Sequence, residues 1–184
     1  MAYPTVSAPY GLKPINLIGG QVFAGATRQL VIANTTGTGY GTSIFYGDVV
    51  KLVSGGTIEK DTGTSTATPV GVFMGCQYIS AVTGQLTFSQ YYPASLAVKS
   101  GTEIQAFVAD DPDQLFKVVL VAGTTADGNG LTPAYLGRTV IGSNAALVQN
   151  TGSSVTGDSK VGIDRKSTRL NSSHIPLSRM PSSA

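Results

Sequence analysis

Hydrophobic and polar residues take turns along most of this chain. Glu103-Ile-Gln-Ala-Phe-Val-Ala109 alternates cleanly, the period-2 signature of a strand with one face on a core. Leu86-Thr-Phe-Ser-Gln-Tyr-Tyr92 alternates as well, which places Phe88 and Tyr92 on one face. Residues 28–34, 43–46, 49–53, 57–61 and 115–121 are further short runs rich in aliphatic and aromatic side chains. Gly55-Gly56 lies between two of them, so residues 49–53 and 57–61 are predicted to form a hairpin. Pro69-Val-Gly-Val-Phe-Met-Gly-Cys-Gln-Tyr-Ile79 is the strongest apolar run, and its length predicts a strand buried on both faces. Gly71 and Gly75 on that strand would permit close backbone approach or a bulge.

The first 25 residues differ. Pro4, Pro9, Pro14, Gly19-Gly20 and Gly25 punctuate them, which predicts an extended arm with at most one short strand near Ile15-Asn-Leu-Ile18. Such an arm can lie along a neighbouring subunit or strap across its own domain. Residues 131–149 are ambiguous, with strand candidates at 135–141 and 144–149, and residues 160–163 begin another. The expected fold is all-β: an antiparallel sandwich or barrel of roughly seven to nine short strands in residues 26–163, preceded by the arm. No solenoid period is present and no amphipathic helices alternate with the strands. The scarcity of charge, 12% of residues, suits sheets and tight turns better than solvent-exposed helices.

The C-terminal stretch is of another kind. Asp164-Arg-Lys-Ser-Thr-Arg-Leu-Asn-Ser-Ser-His174, the variable Ile175-Pro-Leu177, then Ser178-Arg-Met-Pro-Ser-Ser-Ala184 resembles a sequencing adapter translated in one frame around a sample index. That resemblance implies a metagenomic assembly and a non-native tail over residues 164–184, with the native continuation after Ile163 missing. The tail changes the charge reading. The whole chain is +2, but Arg165, Lys166, Arg169 and Arg179 all lie in the tail. Through Asp164 there are eight Lys/Arg against ten Asp/Glu, a net charge of −2, which argues against a nucleic-acid footprint. The opening Met-Ala-Tyr-Pro-Thr is unlike a secretory signal, and no apolar stretch reaches the roughly 18–20 residues of a membrane helix, so synthesis in a cytoplasm is expected.

Candidate chemistry is sparse. The one histidine, His174, is in the tail, so residues 1–163 hold no Ser-His or Cys-His couple and no His/Cys zinc cluster. No Gly-Lys-Ser/Thr loop is present for phosphate. Cys76, the single cysteine, lies in the most apolar run and reads as a buried thiol. Asp110, Asp111 and Asp113 could offer oxygen ligands to calcium, but Asp and Pro also make turns, and a turn is the better reading. Asp127-Gly-Asn129-Gly130 reads the same way. Glu59 and Glu103 are the only glutamates and the minimum pair for a hydrolase, although each occupies a polar strand position. Tyr78, Phe88, Tyr91 and Tyr92 could form a sugar-binding platform, with core or interface packing as the default. The expectation is therefore no catalytic, cofactor or metal residues.

Ala8-Pro-Tyr-Gly-Leu-Lys-Pro14 with Leu17-Ile-Gly-Gly20 resembles the start of small virion structural proteins of marine tailed bacteriophages. Tyr40-Gly-Thr-Ser-Ile-Phe-Tyr-Gly-Asp-Val-Val-Lys-Leu52, Pro69-Val-Gly-Val-Phe-Met-Gly-Cys76, Phe107-Val-Ala-Asp-Asp-Pro112 and Phe116 are similar too. The resemblance covers most of residues 8–121 and implies a non-enzymatic capsid decoration or cement protein. It implies a major capsid protein as partner, homo-oligomers on the shell, and a place on the virion surface; the charge balance and the lack of a long apolar stretch add the expectation of no nucleic-acid and no membrane partner. The rival expectation is a tail- or fibre-associated adhesion module that binds surface glycans.

Overall fold

The computed structural model describes residues 9–33, 39–64, 66–121 and 145–164. Within them the chain is all-β, with eleven strands and no helix. In order they are β1 (Lys13–Leu17), β2 (Arg28–Val31), β3 (Val49–Leu52), β4 (Ile58–Lys60), β5 (Gly71–Ile79), β6 (Leu86–Ser89), β7 (Gln105–Ala109), β8 (Gln114–Lys117), β9 (Leu120–Val121), β10 (Leu147–Val148) and β11 (Gly162–Asp164). The count exceeds the expected seven to nine because residues 115–121 divide into β8 and β9 and because β1 and the short β10 are both formed. The strand expected at residues 43–46 is reduced to single bridges, Ile44 to Tyr92 and Tyr46 to Asp158. Residues 127–130, the 135–141 strand candidate and the adapter-like residues 165–184 lie outside the described residues.

Six strands make the main sheet, in the order β2-β7-β5-β3-β4, with β6 also paired to β5. The sheet curls until its two far strands touch through one parallel bridge, Ile32 to Ile58, without closing into a barrel. All ladders of this sheet are antiparallel, whereas the three-stranded β10-β11-β9 contains a parallel pair, β11 with β9. β1 and β8 form a separate two-stranded ribbon.

β5 organises the molecule. One edge pairs with β7 from Val72 to Gln77. The other edge changes partner: Val72 faces Val49 of β3, and from Cys76 onward the partner is β6. Between Phe73 and Cys76 the register against β7 slips by one residue, and Gly75 there has a φ of 132°. A side chain at Gly75 would be strained at that φ and would meet the Ser89 carbonyl oxygen at 3.0 Å. The extra residue resets side-chain parity, so Phe73 and Cys76 both face the main core despite their odd spacing.

That core gathers Ile32, Ile44, Val50, Ile58, Phe73 and Tyr92 with the inward residues of β7, Ala106 and Val108. Outside the first half of β5 a second layer lies on the sheet: Val49 packs with Leu147 and Val161, joined by Leu12 and Ala67. The expected burial of this strand on both faces therefore holds for its first half. In the second half Cys76 is buried on the core face, whereas Gln77 and Ile79 on the other face are half-buried.

The described part of the arm straps across its own domain. Gly11 packs so closely that a Cβ would lie 2.7 Å from the Ser159 side chain, and the Leu12 amide donates to the Gly47 carbonyl. Lys13 pairs with Asp158 at 2.6 Å and sits 3.8 Å from the centre of the Tyr46 ring. Past Lys13 the chain pairs with β8 and folds back at Gly19-Gly20, with Asn16 bridged to Val22. The result is a small protruding hairpin, not a fully extended arm.

Candidate functional site

The residues singled out by sequence do not converge. Cys76 is buried in the core, where its thiol donates weakly to the Tyr91 carbonyl at 3.8 Å, and burial pushes its pKa up to about 12. A thiol held protonated is a poor nucleophile. Asp111 accepts from the Asp113 amide, and the Asp111 carbonyl accepts from Gln114, so these residues form a hydrogen-bonded turn. Asp110 pairs with Arg28 at 2.9 Å. Among the described residues no group of three His, Cys, Asp or Glu comes together. Glu59 faces Lys51 across the β3–β4 hairpin, while Glu103 lines a groove beside β7 that does not include Glu59.

The aromatic expectation is corrected in one respect. Phe88 and Tyr92 do not share an environment: Tyr92 is fully buried, and Phe88 is 67% exposed. β6 ends at Ser89, whose hydroxyl donates to the Tyr91 carbonyl, and Tyr92 then bridges to Ile44. The alternation is broken between the two rings. Tyr92 donates its hydroxyl to the Tyr40 carbonyl, and burial raises its pKa despite that bond. Tyr91 stacks on Phe45 at 5.4 Å, and Tyr78 packs against the core.

Sequence reasoning missed a buried ionic cluster. Asp48 and Lys60, both buried, pair at 2.9 Å. The Phe45 amide and the Ser159 hydroxyl also donate to the Asp48 carboxylate, at 2.8 and 2.6 Å, and the Phe45 ring lies 5.9 Å from the ammonium. Both carboxylate oxygens are engaged, which is the condition under which a buried pair is tolerated. The cluster ties the β3–β4 hairpin to the segment before β11. Its signal in sequence, an Asp and a Lys at the two ends of a hairpin, is legible only once the register is known.

The feature with open chemistry is the outer face of β6, β5 and β7. Phe88 faces Gln77, which faces Gln105; in the next row Leu86 faces Ile79. Directly opposed residues point to the same side of a sheet, so these side chains share one face with Phe107. Phe88 and Phe107 stack with centres 6.5 Å apart and planes 13° from parallel. Beside them lies an open groove of about 450 Å3 lined in part by Gln77, Glu103 and Gln105.

No known family, no curated protein and no solved structure matches this chain. Among the described residues no helix is long and apolar enough to cross a membrane.

Proposed function

We propose that this chain is a non-enzymatic virion protein that decorates and stabilises a bacteriophage capsid by non-covalent attachment to its shell. The observation that carries this reading is the β1–β8 ribbon with its hairpin tip. Ile18 is 56% exposed, Val22 75% and Leu115 41%. These apolar side chains ride on a short projection whose base is locked to the domain by Lys13, Gly11 and Leu12. A rigid base presenting an apolar tip loses little ordering entropy on docking. Repetition over a symmetric shell would then multiply a weak single contact. The resemblance of residues 8–20 to the start of marine phage virion proteins falls on this same element.

The test is co-sedimentation of the full chain with assembled empty shells, including the capsid protein encoded nearest to it. The reading expects retention by the shells, and its loss in the Ile18→Asp/Val22→Asp double variant with the melting temperature unchanged. Failure of the unaltered chain to sediment with any shell would contradict it.

A further inference from the structure

We propose that the groove on the outer face of β6, β5 and β7 is a binding site for a neutral oligosaccharide. The inference uses a different surface from the β1–β8 ribbon and does not rest on the capsid reading.

Three features define the ligand. The first is directional polarity without internal partners. Gln77 and Gln105 are direct cross-strand neighbours on this face. Their side-chain amides and the Glu103 carboxylate make no hydrogen bond or ion pair within the described residues. A primary amide offers two donors and an acceptor with two lone pairs, and a carboxylate accepts at two oxygens. Two amides side by side can therefore grip adjacent hydroxyls, each of which is donor and acceptor at once.

The second feature is an apolar side. Leu86 and Ile79 line the groove, and the stacked Phe88 and Phe107 rings, their planes 13° from parallel, stand beside it on the same face. Rings of this kind cover the C–H face of a sugar while the amides take its hydroxyls. The third is charge. Among the described residues no Lys, Arg or His lines the groove, and Glu103 gives it a negative rim. That disfavours uronic acids, sialic acids and sulfated sugars, and leaves neutral hexoses and N-acetylhexosamines. The volume of about 450 Å3 falls inside the range of roughly 300–1,000 Å3 typical of small-molecule sites.

A sheet surface of this kind also arises by local economy: the bulge at Gly75 ends the covering layer, and polar residues at strand positions need no ligand. What distinguishes the groove is that its amides are half-buried and adjacent, beside a largely exposed phenylalanine, Phe88.

The test uses the full chain and a panel of soluble probes. Cello-, laminari-, manno- and N-acetylchito-oligosaccharides form the neutral arm, and oligoguluronate and heparin fragments the anionic arm. Calorimetry gives affinities, and amide chemical-shift mapping gives the location. The proposal expects at least one neutral oligosaccharide to bind and to perturb residues of β5, β6 and β7, with the anionic probes silent. Phe88→Ala and Gln77→Ala/Gln105→Ala should each weaken that binding by roughly tenfold, with melting temperatures near that of the unaltered chain. Absence of binding across the neutral arm would overturn the proposal. So would binding that survives both variants, or a preference for the anionic probes. Concentration-dependent dimerisation abolished by Phe88→Ala would also overturn it, by assigning the face to contacts between copies.

Discussion

The two halves of β5 belong to one strand but to different surroundings. In the first half Val72 is buried beside Val49 on the outer face, under the layer containing Leu147 and Val161, while Phe73 fills the inner core. In the second half Cys76 still faces the core, but Gln77 and Ile79 are only half-buried and Phe88 beside them is exposed. Gly75 marks the division: there the strand exchanges β3 for β6 and bulges against β7. The first half is committed to stability. The second half satisfies the core with one face and leaves the other partly exposed.

The comparison is broken most sharply by truncating one ring in each half. Phe73→Ala should cost about 3–5 kcal/mol of unfolding free energy, the range for a fully buried phenylalanine. Phe88→Ala should cost under about 1 kcal/mol, because its ring is mostly in water already. Chemical denaturation reads both. On the covered side, Lys60→Met leaves the Asp48 carboxylate buried without its cation and should cost about 3 kcal/mol or more. Replacing Asp48 with leucine in the same chain should recover part of that loss, since an apolar pair has no desolvation penalty.

The boundary itself is tested by Gly75→Ala. The φ of 132° and the Ser89 carbonyl at 3.0 Å from the new methyl predict a loss of about 1–3 kcal/mol. A change at an ordinary strand glycine would be milder.

A further effect is a pH dependence carried by Cys76. Its ordinary pKa of 9.0 is raised to about 12 by burial. An acid whose pKa is higher in the folded state binds more protons there than when unfolded between those two values. Its contribution is complete below about pH 9 and declines from there towards pH 12. Burial raises Tyr46 and Tyr92 as well, so they add to the decline above pH 10. Melting temperatures across pH 8–10 should fall with a shallower slope in Cys76→Ala than in the unaltered chain.

Much of the fold was legible in the sequence. The alternation of residues 103–109 predicts both β7 and its inward Ala106 and Val108. The Gly55-Gly56 turn predicts the β3–β4 hairpin. What was not legible depends on contacts far along the chain. Gly75 reads equally as a bulge or a close approach, and only its pairing with β7 decides. Phe88 and Tyr92 share parity, but β6 stops at Ser89, so one ring is in water and the other in the core. The arm's own sequence left open whether it reaches a neighbour, and Gly11, Leu12 and Lys13 are seen to grip residues 47 and 158–159 instead. The groove was least legible, because Gln77 and Gln105 come from two strands, Glu103 from the segment before β7, and together they carry no motif.

The most direct test of the division of β5 is side-by-side urea unfolding of Phe73→Ala, Phe88→Ala and the unaltered chain. The account predicts a large loss for Phe73→Ala and near-identity between Phe88→Ala and the unaltered chain. Comparable losses from the two substitutions would contradict it, because the second half of β5 would then be as fully committed to folding as the first.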